Sequence, residues 1–162
     1  MTMDTRLDDF VNREARIDWG AAVLAGVIGG AIDWLLSHGI PWFTSGLITP
    51  TFMGREIQSL AGRDGYGTAM MLLAQVAVGI GYALVLAPVV THLRGIWAIS
   101  LGGLLGLVLY AINFGVFHFV TRAEWSGSEG SVIVSHVVFG MIVAGIYKGI
   151  AARKFVHAVT DA

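Results

Sequence analysis

Asp33, Gln75, Asn113 and His136, together with His38 and His118, are polar side chains set in long apolar stretches. A carboxylate, two carboxamides and imidazoles in such surroundings have three chemical uses. They can hydrogen-bond to one another and hold helices together. They can hold and pass a proton, or line a path for an ion or small solute. The imidazoles of His38, His118 and His136 can also ligate copper or a haem iron. No His-x-x-x-His spacing supports a metal site, and the chain has no cysteine to supply a thiolate or a disulfide. No resident cofactor is expected.

The spacing of these residues repeats. Ala31-Ile32-Asp33-Trp34 is followed by His38, and Ala111-Ile112-Asn113-Phe114 by His118. Gln75-Val76-Ala77-Val78-Gly79 is echoed by His136-Val137-Val138-Phe139-Gly140. The echoes imply an internal repeat of one helical hairpin, with an insertion in the first half. Both halves begin on the same side, so the repeats are parallel, related by an axis along the membrane normal.

Positioning such groups falls to four long apolar segments, about 19–38, 68–90, 95–121 and 131–152. Each has the ~20 residues that a helix needs to cross a ~30 Å hydrocarbon layer. Composition agrees: 56% of the 162 residues are hydrophobic and 13% charged, with a mean hydropathy of +0.74. A soluble domain carries roughly 25% charged residues, too many for this chain to match. The first segment is too long and starts too late for a cleavable signal. The expectation is a single all-α transmembrane domain over 1–162, a four-helix bundle in contact with the lipid bilayer. A net charge of -1 gives no argument for nucleic acid.

Small residues say where the helices meet. Gly26, Gly29 and Gly30 share a face with Asp33, and Gly102, Gly103 and Gly106 share one with Tyr110 and Asn113. Gly79 stands between Gln75 and Tyr82, and Gly140 lies on the face of His136, Ala144 and Tyr147. Close approach of helices in lipid uses such residues, so Gly26, Gly30, Gly79, Gly102, Gly106 and Gly140 are the expected packing positions. Asp33 then points into the bundle. Asp33, Gln75, Asn113 and His136 all fall in one half of their helices and form a candidate intramembrane cluster. Pro88 is expected to bend or close the end of the second helix before the turn Thr91-His92-Leu93-Arg94, and a short polar tail follows the fourth helix.

The connections carry further expectations. Residues 4–18 read as a short helix lying on the membrane surface. In the long first outer connection, Thr49-Pro50 is a plausible helix start, opening an interfacial helix with Phe52, Met53, Ile57 and Leu60 on one side. Residues 121–130 read as a polar outer loop holding Glu124 and Glu129. Arg6, Arg13, Arg16, Arg94, Lys148, Arg153 and Lys154 fall on one side of the membrane, and Arg55, Arg63 and Arg122 on the other. That bias puts both termini in the cytoplasm, with Trp19 and Trp97 near the inner interface and Trp42 and Trp125 near the outer one.

Soluble-enzyme chemistry finds no phosphate loop, no Gly-x-Ser-x-Gly elbow and no second buried carboxylate, so no catalytic residue is assigned. Gln75-x-x-x-Gly79-x-x-Tyr82-Ala83 and His136-x-x-x-Gly140, with Pro50 and Met53 in the outer loop, resemble the YagU-like and related uncharacterised families of small four-helix bacterial inner-membrane proteins. The resemblance covers roughly residues 20–150 and implies an inner-membrane location and a link to acid stress. The chain departs from the pattern at Gln75, where a histidine is expected. The combined expectation is a non-enzymatic structural or accessory subunit that forms a homo-oligomer or joins a larger membrane complex. The alternatives are a small proton-, ion- or solute-conducting protein, and an accessory haem- or copper-binding protein.

Overall fold

The computed structural model describes residues 17–40, 66–121 and 129–160, with side chains for most of these. They form four helices: α1 (Trp19–Gly39), α2 (Tyr66–Val90), α3 (Gly95–Thr121) and α4 (Glu129–Thr160). No strand occurs among the described residues. Each helix holds a run long and apolar enough to cross a membrane: Trp19–Ser37, Leu72–Val90, Gly95–Asn113 and Gly130–Arg153. Of the surface helix expected at 4–18, residues 4–16 lie outside the described residues and Ile17 and Asp18 are not helical; the interfacial helix after Pro50 and the side chains of Trp42 and Trp125 also lie outside the described residues.

Local chemistry explains the helix ends. Asp18 caps α1, its carboxylate oxygen accepting from the Ala21 N–H at 2.8 Å. At the other end the Ile40 N–H donates to the Leu36 carbonyl. Pro88 lies inside α2, which runs only to Val90. Proline lacks the N–H that would continue the ladder, and the Thr91 hydroxyl and N–H both turn back to the Ala87 carbonyl. The Leu93 N–H then closes the turn on Val90, and the Arg94 carbonyl accepts from Ala98 to start α3.

Two endings differ from the sequence expectation. Glu129 opens α4 instead of lying in the preceding loop, and α4 continues to Thr160 instead of giving way to a short tail after residue 152. Its 32 residues span about 48 Å, well beyond a ~30 Å hydrocarbon layer. Lys148, Arg153 and Lys154 end the apolar run but not the helix, because Lys, Arg and Ala are good helix formers in water.

The four helices pack as two close pairs, α1 with α2 and α3 with α4, and α1 also lies along α4. Both pairs cross on glycines. A Cβ at Gly26 would overlap Ile80, and one at Gly30 would lie 2.8 Å from the Gln75 carbonyl oxygen. In the second pair, a Cβ at Gly102 would meet the Gly140 carbonyl oxygen at 2.5 Å, and one at Gly106 would overlap that of His136. Gly79 and Gly140 are the matching small residues across these crossings. Gly29, on the same stripe as Gly26 and Gly30, instead faces Val143 and Phe139 of α4. One small-residue stripe thus serves two neighbours.

The crossings match Gly26 and Gly30 with Gly102 and Gly106. The sequence echo matches Asp33 with Asn113, which is about one helical turn out of step with that register. Packing and polar pattern therefore relate the two helix pairs differently.

The apolar core gathers towards the end that holds the 91–94 turn, hereafter the turn end. There Ala21, Ala22 and Ala25 of α1 meet Leu86 and Val90 of α2 and Val143 and Tyr147 of α4. The other half of the bundle holds the buried polar residues.

Candidate functional site: two buried polar pairs

Asp33, Gln75, Ser135 and His136 are the buried polar side chains among the described residues, each at most 2% exposed. Asp33 lies about 21 Å along α1 from the turn end, and Gln75 about 22 Å along α2, at 1.5 Å per residue. They meet: the Gln75 Nε2 amide donates to Asp33 Oδ2. One oxygen of the carboxyl group thus receives a donor from a neighbouring helix, at a depth where lipid offers none.

The second pair joins α3 to α4. Asn113 Nδ2 lies 3.2 Å from His136 Nε2, and His136 Nδ1 lies 2.8 Å from the Val132 carbonyl oxygen. A carbonyl can only accept, so Nδ1 carries the proton. Nε2 then carries the lone pair and accepts from the Asn113 amide, which makes this imidazole neutral. Tyr110 stands edge-on to the ring, with centroids 5.4 Å apart. Both ring nitrogens of His136 are engaged, so ligating a metal would require displacing Asn113. Among the described residues no three His, Asp or Glu side chains converge as a metal-ligand set. The side chains of His38 and His118 lie outside the described residues.

The pairs form within hairpins because each hairpin's helices are in closest contact. Gly30 brings α1 against the Gln75 backbone, placing the carboxamide within reach of Asp33 one turn further on. Gly106 does the same for His136, whose ring points towards the N-terminus of α4 and meets Asn113 coming from the opposite direction. Ser135 is turned back onto its own helix, donating to the Ser131 carbonyl at 2.8 Å. It forms no dyad with its neighbour His136.

Two further polar links join helices nearer the turn end. The Tyr82 hydroxyl donates to the Gly102 carbonyl at 2.9 Å and its ring packs on Phe139 at 5.2 Å. The Tyr147 hydroxyl lies 2.6 Å from Thr91 Oγ1, and Lys148 Nζ donates to the Thr91 carbonyl at 3.0 Å. Sequence reasoning put both tyrosines on small-residue faces but assigned them no bond. For Tyr82 the available signal is a tyrosine facing a glycine, whose missing side chain leaves a backbone carbonyl open to a hydroxyl.

The fold and these pairs define a multi-pass, four-helix membrane protein with buried polar links between its helices. No protein-family model, curated protein or solved structure matches the chain. Fold alone does not fix function, so the role must be argued from the helices and the polar pairs.

Proposed function

We propose that this chain is a small, non-enzymatic protein of a bacterial inner membrane, acting as a structural or accessory subunit that self-associates or joins a larger membrane complex. The observation that carries this reading is how the polar groups are used. Asp33 with Gln75, Asn113 with His136 and Tyr82 with Gly102 each tie one helix to another, and Tyr147 with Thr91 ties α4 to the 91–94 turn. Such bonds average about 0.6 kcal/mol in membrane bundles, so several together serve to fix one arrangement. Meanwhile α3 is the least buried helix, leaving Ile96, Trp97, Leu104 and Ile112 exposed for lipid or a partner helix. The inner-membrane placement draws on the resemblance to YagU-like proteins and on the bias of basic residues.

The test is the protein mass in particles cut directly from the membrane with their native lipid. More than one protein chain per particle is expected. Particles that each hold a single copy, with no other protein, would overturn the subunit reading.

Orientation is tested separately. With both termini cytoplasmic, a cysteine introduced at Gln58 reacts with an impermeant thiol reagent in intact cells. Labelling only after the membrane is opened would reverse the topology.

A second reading is conduction of a proton or ion. It is favoured by Asp33, the one acidic residue within the spans, buried at nearly the same depth as Gln75. It makes a distinct prediction for Asp33→Asn, argued below.

A further inference from the structure

We propose that the groove between α2 and α3 is a binding site for an anionic glycerophospholipid. Its acyl chain would lie in the groove and its phosphate at the 91–94 turn. The inference rests on the membrane reading of the helices and is independent of orientation and of any protein partner.

Although α2 and α3 are joined by a tight turn, they pack against each other far less closely than either packs in its own pair. A half-open groove of about 360 Å³ results. Val78, Gly81 and Val85 form one wall, and Leu105, Val108 and Ile112 the other. Tyr82 also borders it, but its hydroxyl is turned away onto the Gly102 carbonyl. The surface left to a ligand is hydrocarbon. Helix interfaces in lipid favour small residues that let backbones approach. Here the walls are mainly Val, Leu and Ile, with Val85 71% exposed, which suits a flexible acyl chain better than a second helix.

Charge selects the headgroup. From Tyr66 to Thr121 the chain has no Asp or Glu, and Arg94 is its only Lys or Arg. Arg94 and His92 are both exposed on the turn that joins the two walls. Lys148 adds a second cation by resting its ammonium on the Thr91 carbonyl of the same turn. The acidic group described at this end is Asp18, which is occupied in capping α1.

On α2 the groove runs from Leu86 to Val78, about 6 to 18 Å from the helix end, and on α3 from Leu105 to Ile112, about 15 to 26 Å from its start. One leaflet's hydrocarbon is about 15 Å thick, half of the whole layer. A chain hanging from a phosphate at Arg94 therefore passes exposed Val89, lies first along the α2 wall, and meets the α3 wall only with its end, near the bilayer midplane.

The experiment uses the full chain in mild detergent. It is exchanged against equal amounts of phosphatidylglycerol and phosphatidylcholine with identical acyl chains, and weighed intact with its bound lipid. One phosphatidylglycerol per chain is expected, in clear excess over phosphatidylcholine. Arg94→Ala should lower its retention about fivefold, the contribution of roughly one cationic side chain near an anionic lipid. Gly81→Phe should abolish retention of both lipids without lowering the melting temperature, because a Cβ at Gly81 meets open space. Val108→Phe, entering from the opposite wall, gives the same test should Gly81→Phe fold poorly. Equal retention of the two lipids by the parent would overturn the proposal. So would phosphatidylglycerol binding unmoved by both groove-filling variants, or a dimer mass that those variants abolish, which would place a second copy in the groove.

Discussion

Gly106→Leu is expected to remove most folded protein from detergent extracts, and Gly30→Leu to do the same. At Gly106 even a methyl group would overlap the His136 carbonyl oxygen, and at Gly30 it would press on the Gln75 carbonyl and the Val76 Cα. Overpacking a core costs about 1–3 kcal/mol where side chains can rearrange. Here the obstacles are backbone atoms of a facing helix, so relief requires moving the helix. That would also separate Asn113 from His136, or Asp33 from Gln75. A loss of about 3 kcal/mol or more follows. Gly149→Leu is the matched control, because a Cβ there meets nothing within 4 Å. The measurement is the monodisperse fraction by gel filtration together with the thermal melt. Gly106→Leu and Gly30→Leu proteins that melt like the parent would show that these glycines face lipid.

The helices themselves were legible in the sequence because crossing a bilayer imposes length and apolarity together. The expected spans begin and end within a few residues of α1, α2 and α3. The end of α4 was not legible by that criterion. Hydropathy falls at Lys148 and Arg153, but hydropathy reports what lipid tolerates and not what a helix tolerates.

The site was legible in its residues and less so in its pairing. Apolar runs give the depth of Asp33, Gln75, Asn113 and His136, and depth placed them in the same half of the bundle. Which side chain meets which depends on rotation about each helix axis, and that is set by a few close contacts. Gly29 illustrates the difficulty. It adjoins Gly30 in sequence yet faces α4, whereas Gly30 faces α2. The mismatch between the glycine register and the Asp33–Asn113 echo has the same origin. Backbones meet where side chains are absent, and polar side chains reach along the helix from there. The Tyr82 link depends on a backbone carbonyl, which a residue alphabet does not display, and the Tyr147 link on a threonine hydroxyl in the turn beyond α2.

Asp33→Leu is expected to destabilise the bundle by about 1–3 kcal/mol, because it strands the Gln75 amide without its buried acceptor. Asp33→Asn keeps an oxygen in place to accept from Gln75 and is expected to melt close to the parent. Adding Gln75→Leu to Asp33→Leu should recover part of the loss, since the Gln75 amide is then no longer left facing a missing acceptor. These three melts measure the carboxylate as a helix clamp. Conduction asks for something else of the same atom, namely that it take up and release a proton. An amide of the same shape cannot do so, so Asp33→Asn protein reconstituted in liposomes would fold normally and lose proton flux. The parent and Asp33→Asn are therefore compared by flux under an imposed pH gradient and by thermal melt. Flux in the parent that disappears in a normally melting Asp33→Asn protein would establish Asp33 as a proton carrier and displace the subunit reading. Background flux in both, with Asp33→Leu alone destabilised, assigns Asp33 to holding α1 against α2.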